Sequence, residues 1–144
     1  MSKSLAIKLS ERELITVDEN DQLLEAIKKL AKYNIGAIPV LNSDKQLAGI
    51  ISERDIVKEL AKNENMDCSI LFVNQLMTKK VIYCENDVLS DKLMELMTKN
   101  KVRHIPIVNK NNYPIGIVSI GDVVNRLIEK IEYENKMLKD FVSG

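Results

Sequence analysis

The chain repeats itself, and this constrains its fold more than any other feature. Shifted by 67 positions, the segment Gly36 to Leu60 meets nine identities in the second half: Ile38/Ile105, Pro39/Pro106, Asn42/Asn109, Gly49/Gly116, Ile50/Ile117, Ser52/Ser119, Asp55/Asp122, Val57/Val124 and Leu60/Leu127. Chance would supply roughly one or two, so the chain is built from two copies of one unit. Upstream, the offset that matches best is 66, pairing Glu19-Asn20-Asp21 with Glu85-Asn86-Asp87 and Leu23 with Leu89. That shift implies one residue gained by the second copy between Ser90 and Lys92. The division expected is copy one over 8–62, a connector over 63–76, copy two over 77–129 and a helical extension over 130–144.

Both copies carry the same pattern. A short apolar segment (Leu14 to Val17; Val81 to Tyr83) precedes the Glu-Asn-Asp helix start. Apolar positions at helical spacing follow, Leu23, Ile27 and Leu30 in one copy and Leu89, Leu93, Leu96 and Met97 in the other. Two β-type runs come next, Ile35 to Leu41 and Leu47 to Ser52, matched by Val102 to Val108 and Ile115 to Ser119, each pair split by a polar turn. A helix closes each copy, from Glu53 and from Ile120. The fold class is therefore α/β in the α+β sense: two β-α-β-β-α repeats packed about a pseudo-twofold axis. A unit of about 50 residues has little core of its own, so the copies are expected to bury sheets or helices against each other, leaving two related clefts at the seam. The connector ends in Ile70, Leu71, Phe72, Val73 and Leu76 and is expected to hold a short docked helix.

Charge narrows the function. The chain has 144 residues with 21 Lys+Arg and 21 Asp+Glu, and the halves on either side of residue 72 carry 10 basic and 12 acidic, then 11 and 9. No basic block is present to grip nucleic acid or an anionic membrane. Stacking single-stranded bases would need an aromatic face, and the chain has four Tyr, two Phe and no Trp. Cys68 and Cys84, 16 apart with no CxxC, match neither a zinc spacing nor a disulfide framework and suit a reducing compartment. With no apolar run near the roughly 18 residues that span a bilayer and no apolar leader, a soluble, cytoplasmic protein is expected. The single His, the lack of a P-loop and the lack of a metal-ligand cluster offer no nucleophile with a base, so no enzymatic activity and no metal are expected.

Gly36-Ala37-Ile38-Pro39-Val40 with Gly49-Ile50-Ile51-Ser52-Glu53-Arg54-Asp55, and Arg103-His104-Ile105-Pro106-Ile107-Val108 with Gly116-Ile117-Val118-Ser119-Ile120-Gly121-Asp122, resemble a tandem pair of cystathionine-β-synthase (CBS) domains over about residues 5–130. The resemblance implies a disc-like pair, a Bateman module of the stand-alone signalling type, that binds an adenine nucleotide between its repeats without acting on it. AMP is the first expectation, with ADP, ATP, NAD or S-adenosylmethionine as alternatives and no cofactor. It also implies a homodimer of discs and an unidentified regulated protein. A ligand-independent homodimeric scaffold is the competing expectation.

The motif residues have two possible jobs. Gly-h-h-Ser-x-x-Asp falls where a strand ends and a helix begins, a place for phosphate, to which the Ser52 or Ser119 hydroxyl adds a donor. A carboxylate one turn on, Asp55 or Asp122, can accept from both hydroxyls of a ribose. Ser-x-x-Asp is also a helix capping box, although the box prefers Glu or Gln to the shorter Asp found here. Arg103 and His104 are candidates for phosphate, which would favour the protonated imidazole; the alternative is a solvated Arg and a satisfied His. Copy two has them where copy one has Gly36 and Ala37; copy one offers Arg54 where copy two has Gly121, so the two clefts are chemically unequal. The resemblance assigns Thr16 to phosphate, with Ile82 as its counterpart by alignment. Backbone groups of Gly36 to Ile38 and Arg103 to Ile105 can read an adenine edge, over an apolar floor of Ile38, Ile105 and Pro106 with Pro39 beside it, unless those side chains serve the core. Finally, Ile128, Ile131, Asn135, Leu138 and Val142 run at 3-4-3-4 spacing among Glu129, Lys130, Glu132 and Lys139, a stripe that can pair subunits with Asn135 setting register or dock on its own disc.

Overall fold

Asn42 and Asn109 recur because each builds the same hairpin turn. The Asn42 side-chain oxygen accepts from the amides of Asp44 (2.9 Å) and Gln46 (3.0 Å), and that of Asn109 from Asn111 and Tyr113 (both 3.0 Å). Each turn has one residue in the left-handed region, Lys45 at φ 64° and Asn112 at φ 65°. In the computed structural model, which describes residues 12–85 and 90–143, these turns join β2 (Ala37–Leu41) to β3 (Leu47–Ser52) and β5 (His104–Val108) to β6 (Pro114–Ser119). Short strands β1 (Val17–Asp18) and β4 (Cys84–Glu85) lie parallel to β2 and β5, giving two three-stranded sheets in the orders β1-β2-β3 and β4-β5-β6. The helices are α1 (Leu23–Tyr33), α2 (Glu53–Lys62), α3 (Val73–Leu76), α4 (Ser90–Asn100) and α5 (Ile120–Ser143). The start signal Asn86-Asp87, Leu89, residues 8–11 of copy one and Gly144 lie outside the described residues.

The entry strands lie downstream of the expected apolar segments. Only residues beside β2 and β5 find ladder partners; Leu14, Ile15, Val81 and Ile82 run off the sheets into the seam. Register also corrects the offset of 66. Val17 pairs with Val40 and Cys84 with Ile107, so the strands keep the offset of 67. The helices agree: Ala26 and Leu30 are buried as Leu93 and Met97 are, and Asn34 (φ 52°) matches Lys101 (φ 54°). No residue was gained, and Thr16 corresponds to Tyr83, not Ile82. Sheet register decides against the Glu-Asn-Asp match, because a slip of one residue would turn every strand side chain to the other face.

Burial follows the repeat. Among the described residues two clusters form, one inside each copy: Val17, Leu23, Ile38, Val40 and Ile51 with others, and Leu93, Ile105, Ile107, Val118 and Val123 with others. Helix α3 belongs to the first, with Val73 fully buried and the Leu71 carbonyl accepting from the Leu23 amide at 2.7 Å. Backbone pairing stitches the copies together: Leu47 N–H donates to Asn112 O (2.9 Å), Ile50 N–H to Thr78 O (3.0 Å) and Thr78 N–H to Ile50 O (2.8 Å). Gly49 makes the Thr78 approach possible, since a Cβ there would sit 2.8 Å from Thr78 O and 2.8 Å from Met77 Sδ. Helix α5, 24 residues and about 36 Å long, is exposed at every position from Ile128 to Ser143.

Candidate functional site

Each copy delivers a helix N-terminus to the seam. Ser52 N–H donates to Asp55 Oδ2 (2.9 Å), Ser52 Oγ donates to the same oxygen (3.0 Å), and Asp55 N–H donates to Ser52 Oγ (3.3 Å). Ser119 and Asp122 repeat this at 2.9, 3.0 and 3.2 Å. Asp is therefore long enough to close both capping boxes. Without a ligand, the Ser52 and Ser119 hydroxyls point to the carboxylates and close the caps, while their rotatable O–H remains able to turn to a phosphate. Each Asp divides its labour. Oδ2 closes the cap, and Oδ1 takes its own partners, with Thr78 Oγ1 3.4 Å from Asp55 Oδ1 and an Arg12 guanidinium nitrogen 3.1 Å from Asp122 Oδ1.

Two clefts follow from this arrangement. The first, about 310 Å³, lies between Asn34–Ala37 of copy one and Gly116, Ile117, Ser119 and Asp122 of copy two, with Leu14 and Ile15 in its wall. The second, about 350 Å³, lies between Lys101–His104 of copy two and Ile50, Ser52 and Asp55 of copy one, walled by Val81 and Ile82. Adding 67 to the first set, or subtracting it, generates most of the second, so the clefts are pseudo-twofold mates. Helix starts mirror one another too: Glu53 N–H donates to Gly36 O (3.0 Å) and Ile120 N–H to Arg103 O (2.8 Å).

Their charges are unlike. Among the described residues, the first cleft holds one guanidinium, Arg12, against the carboxylates of Glu13 and Asp122, and Arg12 is bound to one of them. The second gathers Arg54, Lys58, Lys80, Lys101 and Arg103 against Glu53 and Asp55. Such a concentration of one sign in a concave site attracts a small anion even when the whole protein is neutral.

The structure thus brings Gly36, Ala37, Ser52, Arg54, Asp55, Arg103 and His104 to the second cleft, and Gly36, Ala37, His104, Ser119 and Asp122 to the first. Gly36, Ala37 and His104 are shared by both. The imidazole covers Gly36, where a Cβ would meet Cε1 at 3.1 Å. Burial pushes the His104 pKa below its ordinary 6.5, with Glu53 and Asp122 pulling the other way and Arg103 adding to the fall. The protein alone therefore favours neutral imidazole, not the cation.

Thr16 stands apart. It lines neither cleft, and its carbonyl accepts from Lys29 Nζ at 2.7 Å. Ile38, Pro39, Ile105 and Pro106 are fully buried and serve the core, with none of them in a cleft lining. Sequence reasoning missed Arg12, Lys58, Thr78, Lys80 and Lys101. One signal was available for Lys58: it lies four residues after Arg54, on the same helical face.

Comparison with known proteins finds the repeated unit elsewhere. A family model described as CBS domain matches residues 6–62 and again 73–129. The chain is 34% identical over 115 residues to inosine-5'-monophosphate dehydrogenase of Methanocaldococcus jannaschii, a match covering 80% of this chain and 22% of that protein. It is also 34% identical over 129 residues to the CBS domain-containing protein CBSX3, mitochondrial, of Arabidopsis thaliana, covering 87% of this chain and 62% of the other. The chain thus spans less than two thirds of either relative. Among solved structures it is similar to the CBS domain pair of protein MJ0100 in complex with 5'-methylthioadenosine and S-adenosyl-L-methionine, with a TM-score of 0.78 and 29% identity over 90% of this chain and 99% of that one.

Proposed function

This chain belongs to the CBS-domain family, and from that premise we propose that it is a non-enzymatic regulatory module that binds an adenine nucleotide, AMP first, in its second cleft. The observation that carries this reading is the lining of that cleft. Asp55 Oδ1 takes no part in the helix cap and, beside its long 3.4 Å contact with Thr78 Oγ1, can accept from ribose hydroxyls, and Lys80, Lys101 and Arg103 lie in the same cleft for phosphate. A volume of about 350 Å³ falls at the lower end of the span for small-molecule sites, about 300–1,000 Å³. The likeness to a domain pair crystallised with two adenosine-containing ligands supports an adenosine moiety, and the lysines and arginines favour one that carries phosphate. The first cleft suits the scaffold reading better, because the chain's own Arg12 holds its carboxylate.

Binding becomes a signal only if it favours one arrangement of the repeats, or of two discs in a homodimer, over another. A partner protein then reads that arrangement. Isothermal titration with AMP, ATP, NAD and S-adenosylmethionine tests the proposal. A charge-assisted contact contributes about 1.5–3 kcal/mol, so Arg103→Ala should weaken AMP by roughly tenfold to a hundredfold and leave adenosine nearly unaffected. Absence of binding below about millimolar, or unchanged AMP affinity in Arg103→Ala and Lys80→Ala, would overturn it.

A further inference from the structure

Among the described residues of α5, none in its last part is buried. From Ile128 to Ser143 every residue is exposed, including Ile128, Ile131, Tyr133, Met137, Leu138, Phe141 and Val142. A sixteen-residue helix is marginal in water by itself, and its stability comes from covering an apolar face. Tyr133, Met137 and Phe141 lie elsewhere on the helix, but Val124, Ile128, Ile131, Asn135, Leu138 and Val142, apolar except for Asn135, alternate four and three apart. They form one stripe that continues the exposed Val124 of the disc into the projecting tail.

Read as heptads, Ile128, Asn135 and Val142 fall at position a, and Val124, Ile131 and Leu138 at position d. Glu134 then falls at g and Lys139 at the following e, the two positions that face each other across a parallel pair. We propose that α5 pairs in parallel with the α5 of a second copy of this chain, burying this stripe and joining Glu134 of each copy to Lys139 of the other. Asn135 supports the direction independently of charge. In a parallel pair it meets its own counterpart, and the two amides satisfy each other. In an antiparallel pair it faces Ile131 or Leu138 of the other copy, with its amide left without a partner. The proposal deepens the homodimer reading by naming its surface and direction, and a parallel seam sets the two discs side by side with their nucleotide clefts facing the same way.

Charge reversal tests the direction by sedimentation equilibrium of the full chain. Glu134→Lys and Lys139→Glu should each raise the dimer dissociation constant about threefold to tenfold, and the double reversal Glu134→Lys/Lys139→Glu should restore it. Rescue by Glu132→Lys/Lys139→Glu in its place identifies an antiparallel pair and overturns the proposal. In a Cys68→Ser background, Val142→Cys should oxidise to a covalent dimer, since a disulfide needs Cα atoms about 4.4–6.8 Å apart and only a parallel pair brings residue 142 to itself. Ile131→Asp should raise the dissociation constant at least a hundredfold while AMP titration shows an unchanged cleft. A dimer that persists in Ile131→Asp without the Val142→Cys cross-link rejects the α5 seam and leaves the homodimer standing on its discs. A wild-type monomer at 50–100 µM (about a tenth of a millimolar) rejects both.

Discussion

Gly49 offers a sharp test of how the two copies are joined. A Cβ added there would meet Thr78 O and Met77 Sδ at 2.8 Å each and Met77 Cγ at 3.2 Å. The thioether can swing aside, but the carbonyl cannot, because it accepts from Ile50 N–H at 3.0 Å while Thr78 N–H donates to Ile50 O at 2.8 Å. Relieving the overlap means moving the backbone at Thr78 by several tenths of an ångström and weakening that bonded pair. Overpacking of this kind costs about 1–3 kcal/mol, and each strained hydrogen bond adds about 0.5–1.5 kcal/mol, so Gly49→Ala should destabilise by about 2–3 kcal/mol. For a chain of this length that is a fall in Tm of about 6–10 °C. Gly121→Ala is the control: its Cβ would find only Ser119 Oγ at 3.6 Å, and replacing helical Gly by Ala contributes about 0.5–1 kcal/mol, raising Tm by about 2–3 °C. Scanning calorimetry at one fixed protein concentration reads both. A Gly49→Ala protein melting within 1–2 °C of wild type (roughly half a kilocalorie per mole) would refute the account of the seam.

Two further outcomes follow. Arg12→Ala frees Asp122 Oδ1; the ion pair is mostly exposed on its Arg side, so stability should change by less than about 1 kcal/mol and nucleotide affinity for the first cleft should rise only several-fold, seen as a second weak site in titration. A saturated stoichiometry that stays at one per chain in this variant argues against Arg12 as the occupant of that cleft. For His104 the folded pKa lies below the unfolded 6.5, so the unfolded chain takes up the proton first as pH falls. Stability should be level above about pH 7 and decline below 6.5, and His104→Asn should lose that part of the decline; identical pH profiles for the two proteins would exclude His104 as its source.

The parts of this molecule that were legible in the chain are those that pattern and register dictate. Helical spacing found Leu23, Leu30, Leu93 and Met97, and the repeat found both hairpins, because packing and turn geometry leave local marks. The Ser-x-x-Asp boxes were legible but ambiguous: the same residues that cap the helix also present an oxygen to the cleft, and only atomic positions separate the two uses of one carboxylate. The cations of the second cleft were not legible. Lys58, Lys80 and Lys101 are ordinary polar positions among 21 Lys+Arg, and what distinguishes them is convergence after folding of segments that are far apart in the chain. Thr16 came from the resemblance alone, and in the ligand-free fold it is its neighbours Leu14 and Ile15 that line a cleft.

The separate cores have a consequence for cooperativity. Because, among the described residues, each copy packs its own apolar cluster and backbone pairs cross between them, the copies are candidates to melt as distinct foldons. A molecule held by Asp55 of one copy and Arg103 of the other is then a crosslink in thermodynamic terms. At a hundred times its dissociation constant it adds about 2.7 kcal/mol only to states in which both copies are folded. Occupancy thereby couples two unfolding equilibria into one, and the breadth of the melting transition becomes a gauge of whether the cleft is filled.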